Sequence, residues 1–395
     1  MNDKRFISAS NILLLPEDAP EHPVLVFEGD RLTDIFPGRD MDPSVIELYN
    51  GTLIPGFVNA HCHLELSHMK GKINTGTGLT PFLKAVVTQP PVPEELIEEA
   101  VREADLEMWE SGIVAVGDIS NKSVTAEVKM TSPIEYYTFV EMFDFLDPGR
   151  SDEYYDQYNE VYEIFLETGL KYVSRVPHSP YTVSVDLSKK LAESLSSGLT
   201  GSIHMLENQQ ENILLTGGPS EYADFFQSLG FGLDHFIAPG HGSIEHFLQY
   251  GYHPERMLFV HNTIADQSDL EKMKLFAQVS QPYLVTCPNA NLYIESTLPQ
   301  YDKWLDSGLQ ICIGTDSYSS NHQLSIWDEM RTIKSNFDYI SWDELIRWAC
   351  INGARALGME DRFGSFDVGK SPGVVLLGHR NDEAIGLDSI PRKII

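Results

Sequence analysis

Short apolar runs alternate with longer amphipathic stretches along most of this 395-residue chain. In one amphipathic stretch, Leu96, Ala100, Ala104 and Met108 recur every four residues, which predicts a helix. The stretches that predict helices are 93–110, 186–197 and 342–357. The apolar runs that predict strands are 52–60, 112–119, 135–143, 170–179, 200–207, 256–262, 282–288 and 309–317. Regular alternation of the two favours a parallel sheet, and nearly continuous apolar strands suit a sheet buried on both faces.

The number of these strands predicts the architecture. Eight alternating units between residues 56 and 360 fit the α/β class, as a (β/α)8 TIM barrel with insertions. The chain ends differ, because residues 1–50 and 363–378 carry short β-like pieces separated by turns. We therefore expect two domains: a barrel over 56–360, and a small β-sandwich domain that residues 1–55 and 361–395 form together.

The charge balance narrows the possible partners. Lys and Arg total 28 against 58 Asp and Glu, which gives a formal net charge of −30. We expect no binding to nucleic acids or anionic membranes, because both need basic surface patches. No apolar run reaches the roughly 18 residues of a membrane span, and no A-x-A-like cleavage site follows the N-terminal stretch. We therefore expect neither a membrane span nor a signal peptide.

The cysteines indicate a reducing compartment. The four of them lie far apart and form no C-x-x-C pair: Cys62, Cys287, Cys312 and Cys350. Such spacing does not suit a disulfide scaffold, so we expect free thiols and a cytoplasmic protein.

Polar residues with metal-binding and acid–base chemistry recur at the predicted strand ends. His61 and His63 lie two residues apart, so in a strand they point to the same face. The later strand ends supply His178, His204, Glu207, His261 and Asp316. Catalytic groups of a barrel lie at these carboxyl ends. Each residue alone fits a polar strand end that faces solvent. Together, several neutral imidazoles and one carboxylate are the ligand set of a catalytic divalent metal with an open position for water.

No competing motif for another chemistry stands out. The chain has no H-E-x-x-H, and the "HLE" that begins at His63 lacks the P-C-x-x-C of zinc cytidine-type deaminases. G-x-G-x-x-G is absent, so dinucleotide binding lacks support.

An ordered series of motifs carries a resemblance to a known family. The motifs are "LIPGFVNAHCHLE", "PHSPYTVS", "HMLEN", "VHN", "CPNAN" and "IGTDS", with "GSFDVGKSPGVVLL" near the C-terminus. In this order they resemble the amidohydrolase superfamily over nearly the whole chain. Within it they are most similar to the metal-dependent aminohydrolases that include adenosine-derivative, guanine and triazine-type enzymes.

The resemblance implies a site with one divalent metal, zinc or alternatively iron. Its ligands would be His61, His63, His204 and Asp316. The fourth strand ends in His178 instead of the lysine that binuclear members carry, which favours a single metal. The resemblance also implies the catalytic residues and their roles: Glu207 shuttles a proton to the substrate ring, His261 contacts the attacking water, and Asp316 accepts the proton of that water. It further implies a homodimer that acts on a small molecule.

The loop after the first strand and the fourth strand end bear on the substrate. The loop "LELSHMKGKINTGTGLTPFLKAVV" is similar to that of aminodeoxyfutalosine deaminases, and "PHSPYTVS" also resembles adenosylhomocysteine and methylthioadenosine deaminases. The substrate-binding residues so implied are His178, Tyr181, Glu207, Ser67 and Asn289, with Glu65 as a further pocket candidate. Ala290 departs from the family pattern, in which many members carry serine before the second asparagine of "CPNAN", so the nucleobase stays open.

Several alternatives remain at the level of sequence. The same ligands would serve a guanine-type or triazine-type aminohydrolase or a chlorohydrolase, and an amidohydrolase fold can also lack catalysis. His235, His241 and His246 follow the fifth strand, but their spacings of six and five in a Gly/Pro-rich loop fit no standard metal motif. We expect these three to be solvated or to line a pocket.

Overall fold

The computed structural model describes residues 4–378 and 385–395. Its strands are β1 (Lys4–Ile12), β2 (Pro23–Glu28), β3 (Arg31–Pro37), β4 (Ile46–Ile54), β5 (Phe57–Cys62), β6 (Ile113–Ser120), β7 (Glu135–Met142), β8 (Tyr172–Pro177), β9 (Thr200–Met205), β10 (Arg256–His261), β11 (Gln281–Thr286), β12 (Gln310–Ile313), β13 (Val375–Gly378) and β14 (Ile390–Lys393).

The α-helices mostly fall between the strands, as the sequence pattern predicts. They are α1 (Leu79–Val87), α2 (Glu94–Glu110), α3 (Ala126–Thr131), α4 (Ser151–Glu167), α5 (Val185–Glu193), α6 (Gln209–Leu215), α7 (Glu221–Ser228), α8 (Ser243–Leu248), α9 (Gln267–Phe276), α10 (Pro288–Glu295), α11 (Tyr301–Ser307), α12 (Ile326–Asn336), α13 (Trp342–Arg347) and α14 (Gly353–Ala356). Residues 1–3 and 379–384, which the sequence assigns to the small β domain, lie outside the described residues.

Strands β5 to β12 form the predicted barrel. They pair in parallel as two four-stranded sheets, β5-β6-β7-β8 and β9-β10-β11-β12. Backbone hydrogen bonds join both seams between these sheets: His204 N donates to His178 O at 2.9 Å, and Thr315 N donates to His61 O at 3.0 Å. The ring is therefore closed, and the (β/α)8 prediction is confirmed.

Gly314 permits the close contact between the end of β12 and β5 that closes the barrel. A Cβ atom on Gly314 would lie 2.8 Å from the Cβ atom of His61 and 2.9 Å from its carbonyl oxygen. Only a residue without a side chain lets the end of β12 approach β5 this closely. The approach brings Asp316 beside the strand that carries His61.

The segment 52–60 is not one strand, as the sequence suggested, but two. The apolar run divides at Pro55 and Gly56 into the end of β4 and the start of β5, which belong to different sheets. Proline has no N–H to continue a ladder, and Gly56 N donates instead to Pro372 O at 2.9 Å. One uninterrupted hydrophobic run thus links the two parts of the fold.

Two predicted helices differ in their bounds. The helix expected over 186–197 ends at Glu193, where Ser194 Oγ bonds back to the Leu191 carbonyl. Serine side chains compete for backbone groups in this way and favour helix ends. The helix expected over 342–357 is α13 and α14 joined by a π-helical turn, Trp348–Asn352.

The chain ends meet in one small β domain, as predicted. Its strands are hydrogen-bonded into a continuous six-stranded sheet in the order β14-β13-β4-β1-β2-β3. Val375 of β13 pairs with Ile54 of β4, which connects the C-terminal part to the strand that leads into the barrel. Ile7, Leu25 and Phe27 are among the fully buried residues of its apolar core.

The prediction that the four cysteines carry free thiols is also confirmed. All four cysteines are buried and free. Separately, within residues 4–378 and 385–395, no helix combines the length and the apolar character needed to cross a membrane.

Candidate active site

Three imidazoles and one carboxylate converge at the carboxyl ends of the barrel strands. The Nε2 atom of His63 lies 3.2 Å from Nε2 of His61 and 3.2 Å from Nε2 of His204. Oδ1 of Asp316 lies 3.7 Å from His63 Nε2 and 4.0 Å from His61 Nε2. The structure therefore brings the four proposed metal ligands together, although they come from the ends of three strands, β5, β9 and β12.

The ring nitrogens of this cluster are arranged to hold a cation at its centre. The Nδ1 atom of His204 faces two acceptors, Glu141 Oε1 at 3.2 Å and His178 O at 3.1 Å, so Nδ1 carries a ring proton and Nε2 faces inward. Burial lowers the pKa of His204, but the hydrogen bond to Glu141 outweighs it and raises the pKa to about 9, so a metal ion would displace a proton from Nε2. Burial lowers the pKa of both His61 and His63, which keeps their imidazoles neutral. The three Nε2 atoms converge at separations of 3.2 Å, close enough for all of them to contact one ion placed between them. The donor set thus fits a divalent metal such as zinc.

Backbone strain accompanies several of these strand ends. Leu206, His261 and Asp316 have φ values of 50°, 70° and 57°, in the left-handed region. Such conformations cost on the order of 1–3 kcal/mol each for non-glycine residues and cluster at functional sites. At Asp316 the bend follows directly after the close approach at Gly314 and directs the carboxylate towards the histidines.

Glu207 and His261 lie beside the cluster. Oε1 of Glu207 is 3.8 Å from Nε2 of His261, and both residues line the same cavity. Burial, together with the charges of Asp316 and Glu295, raises the pKa of Glu207 to about 8, so this carboxyl group holds a proton at neutral pH. Burial lowers the pKa of His261 to about 4, which keeps it neutral. A proton donor and a neutral imidazole therefore face the cavity together.

The cavity has a volume of about 190 Å³ and combines a polar floor with an apolar cover. The predicted site residues that line it are His63, His178, Tyr181, His204, Glu207, His261 and Asp316. His61 is fully buried beneath them. The cover comes from one face of α1, through Leu79, Phe82, Leu83 and Val86. This arrangement suits a flat organic substrate with one polar, reactive edge.

His178 and Tyr181 are fixed in the cavity wall. Nδ1 of His178 lies 2.7 Å from Thr182 Oγ1 and 2.9 Å from Ser179 Oγ, and burial lowers its pKa to about 4. The Tyr181 ring stacks on Tyr222, with ring centroids 4.2 Å apart and planes 8° from parallel. Both side chains are held by neighbours instead of being free to move.

Two residues that the sequence suggested for substrate binding do not reach this cavity. Ser67 Oγ donates to Leu64 O at 2.7 Å, which caps the turn after β5. Asn289 lines a separate cleft and bonds Glu329 through Nδ2 at 2.9 Å. Helical residues two positions apart point in nearly opposite directions. In α10 it is consequently Asn291 that turns towards the site.

Glu65 does line the cavity, but backbone groups occupy its carboxylate. Both of its oxygens lie 3.1 Å from Asn121 N, and Oε2 also accepts from Lys122 N at 3.0 Å. Burial raises its pKa to about 7. Glu65 therefore ties the loop after β5 to the loop after β6.

Sequence reasoning missed Glu141 and Asn291. Glu141 lies at the end of β7, contacts His204 Nδ1 and lines the cavity, and its pKa is about 2 because the facing histidines outweigh the effect of burial. Asn291 Oδ1 lies 3.0 Å from His261 Nδ1. A polar residue at the end of the apolar run 135–143 was the available signal for Glu141. The second asparagine of "CPNAN" was the signal for Asn291.

His235, His241 and His246 lie away from the cluster. His235 Nε2 is 2.9 Å from Leu146 O, and His241 Nε2 is 2.7 Å from Gln249 Nε2. His246 is buried beside Tyr250 instead of solvated. Within the described part of the chain, no group of metal-ligating side chains includes these three histidines.

Comparison with known proteins identifies the family. The sequence profile of the amidohydrolase family matches residues 52–385. An adenosine deaminase of Helicobacter pylori is 27% identical over 326 residues, covering 79% of this chain and 76% of that protein. Among solved structures, Helicobacter pylori aminofutalosine deaminase in complex with methylthio-coformycin matches with a TM-score of 0.79, 21% identity, and coverage of 99% of this chain and 100% of that chain. An adenosine deaminase from Xanthomonas campestris with bound zinc matches with a TM-score of 0.73, 22% identity, and coverage of 97% and 86%. The match to the family profile over most of the chain establishes that this protein belongs to the amidohydrolase family.

Proposed function

We propose that the protein is a metal-dependent hydrolytic deaminase that releases ammonia from an adenine nucleoside derivative, and so a hydrolase of carbon–nitrogen bonds other than peptide bonds. One observation carries the proposal: three inward-facing imidazoles and Asp316 meet directly beside the protonated Glu207 in one cavity. The adenosine and aminofutalosine deaminases among the similar proteins support the choice of an adenine nucleoside.

His61, His63, His204 and Asp316 would hold one divalent metal. Zinc is the metal we propose, because three imidazole nitrogens and one carboxylate suit it and a similar structure contains it. When bound there, the ion would supply Lewis-acid chemistry that lowers the pKa of a water molecule. Iron remains the alternative for the same ligands.

Protein side chains then transfer the protons of the reaction. Asp316 accepts a proton from the attacking water, and the remaining oxygen bonds to the ring carbon that bears the amino group. Glu207 donates its proton to the adjacent ring nitrogen, which takes up the developing charge. His261, neutral and facing Glu207, orients the water. The amino group leaves as ammonia with the proton that Asp316 accepted. The remaining hydroxyl group on the ring carbon gives its proton back to Glu207, so water is consumed, the ring becomes a lactam and both carboxyl groups regain their starting states.

The cavity wall would bind the substrate. His178 and Tyr181 lie on the same wall as Glu207, and we propose that they contact the nucleoside. The α1 side chains, among them Phe82 and Val86, would cover its apolar parts. Ser67 and Asn289 have no direct part in this proposal, because other groups bind their side chains.

We further propose the domain and assembly states that the sequence suggested. Residues 56–360 form the catalytic barrel, and 1–55 with 361–395 form the small β domain. The protein is a homodimer, which light scattering would test. The four free thiols support a reducing, cytoplasmic environment.

A substrate panel tests the function. Purified protein of known metal content would be assayed for ammonia release from adenosine, 5′-substituted adenosines, guanine and triazines. We expect the highest kcat/KM for an adenosine derivative. Turnover of guanine or a triazine alone would replace the adenine nucleoside with one of those substrates, and no release from any compound by metal-replete protein would contradict the deaminase proposal.

A further inference from the structure

A fully buried ion pair lies behind the metal-ligand cluster. Lys129 Nζ is 2.6 Å from Asp118 Oδ2, and both side chains are 0% exposed. Lys129 lies in α3 and Asp118 in β6. Neither residue lines the catalytic cavity, and neither has a part in the chemistry described above. Its burial raises the question of what the pair does.

The ammonium group is completely satisfied where it lies. Lys129 Nζ also donates to Ser120 Oγ at 3.0 Å and to Thr138 Oγ1 at 3.1 Å, so its three N–H bonds have three acceptors. No donor is left over to reach a ligand. Lys129 therefore fixes the position of Asp118 instead of serving a ligand.

The other oxygen of Asp118 holds the backbone next to a metal ligand. Leu64 N donates to Asp118 Oδ1 at 2.7 Å, and Leu64 directly follows His63. On the other side of His63, Cys62 pairs with Asp118 in the β5–β6 register. His63 itself lies beyond the last residue of β5. Asp118 thus contacts the chain on both sides of His63: it accepts a hydrogen bond from Leu64 and pairs with Cys62 in the sheet.

Stability alone does not explain such a pair. Burying two charges carries a large desolvation cost, and replacing a buried pair with apolar residues is often neutral or stabilising. A pair that adds little stability can still specify one backbone position. Here that backbone position is the one that carries His63, whose Nε2 atom lies 3.2 Å from the Nε2 atoms of two other histidines.

We propose that Asp118 is a positioning residue for His63, locked by Lys129, and that its acceptor bond to Leu64 N sets the geometry of the metal site. The inference rests on the metal site proposed above. Groups that orient metal ligands typically contribute about 10- to 100-fold to metal affinity. The effect should therefore appear in metal binding by the metal-free protein, before any substrate is present.

Two double variants separate the effect of the hydrogen bond to Leu64 N from the effect of the ion pair. Asp118→Asn with Lys129→Met and Asp118→Leu with Lys129→Met both remove the ion pair. Asn and Leu have nearly the same shape, but only Asn keeps an acceptor for Leu64 N–H. We expect the Leu variant to lose roughly 10- to 100-fold in zinc affinity, measured by chelator competition, and the Asn variant to recover most of that loss. Should the Leu variant not fold, Asp118→Ala with Lys129→Met takes its place.

Controls distinguish this role from general stability. Asp105→Ala removes another buried carboxylate, which accepts from Ser132 and Tyr136, and should leave zinc affinity unchanged. Thermal unfolding of the metal-free variants shows that each is folded. Wild-type zinc affinity in the folded Leu variant, or an equal loss in the Asn variant, would overturn the inference. Wild-type protein that binds no zinc would instead reject the metal site itself.

Discussion

The two ring nitrogens of His261 face different partners: Nε2 lies 3.8 Å from Glu207 Oε1, and Nδ1 lies 3.0 Å from Asn291 Oδ1. The Asn291 contact places the ring proton on Nδ1, so the lone pair on Nε2 faces the protonated carboxyl group of Glu207. One wall of the cavity thus presents a proton donor beside a neutral base. This division of roles leads to the first prediction.

Glu207→Gln should give a metal-replete, substrate-binding but nearly inactive protein. The amide has almost the shape of the acid but cannot deliver a proton to the ring nitrogen. We expect kcat to fall by roughly 10²- to 10⁴-fold, with metal content unchanged. Glu211→Gln is the matched control, because Glu211 is buried in the first turn of α6 and accepts from Leu206 N outside the cavity. If Glu207→Gln kept more than about a tenth of wild-type kcat, another group such as His261 would have to carry the proton.

Asp316→Asn should weaken metal binding, which Glu207→Gln leaves unchanged. Its carboxylate lies close to both His61 and His63, and Ser320 Oγ donates to its other oxygen at 2.7 Å. A neutral amide is a weaker ligand and a poor proton acceptor, so we expect loss of both metal and turnover. Metal content after dialysis against a chelator is the measurement. Retention equal to that of Glu207→Gln would mean that Asp316 is not a ligand.

Glu141→Gln should weaken the metal site through His204. The Glu141 carboxylate faces His204 Nδ1 at 3.2 Å and holds the ring so that Nε2 faces the cluster. Loss of such a partner typically lowers metal affinity by about 10- to 100-fold. Glu135→Gln, at the opposite end of β7, is the control and should have no effect. An unchanged metal affinity in Glu141→Gln would mean that the other acceptor, His178 O, is sufficient to orient His204.

The stability of the metal-free protein should depend on pH through Glu207. Its pKa is about 8 in the folded protein, raised by burial from 4.5. The neutral form therefore contributes stability that is complete below pH 4.5 and is lost as the pH rises through about 8. Glu207→Gln, which cannot ionise, should lack this component. The difference in unfolding midpoint between variant and wild type should grow in favour of the variant from pH 5 to 8. A constant difference would contradict the raised pKa.

Local patterns predicted the fold and placed the proposed metal ligands at strand ends, because both depend on short-range periodicity. The alternation of strand residues predicts that His61 and His63 share a face, and the other proposed ligands follow apolar runs that end at the same edge of the barrel. The division at Pro55 was missed because two strands of different sheets follow one another without a polar break.

The contacts that orient the ligands could not be predicted in this way. Glu141 meets His204 across 63 positions, and Asp118 meets Leu64 across 54. Nothing in the spacing of such residues shows that they will pair. The sequence favoured Asn289 for the site, but Asn291 faces it. Which of the two faces the site depends on how α10 packs against neighbouring elements, and the sequence does not show that packing.

The most direct test of the account is the dependence of ammonia release on metal content. Protein stripped of metal would be given zinc in steps and assayed with the adenosine derivative that it turns over best. We predict no release without metal, then a linear rise that levels at one equivalent per chain, with the same end point in His178→Ala. Release by metal-free protein, or a rise that continues to two equivalents and collapses in His178→Ala, would contradict the single-metal deaminase.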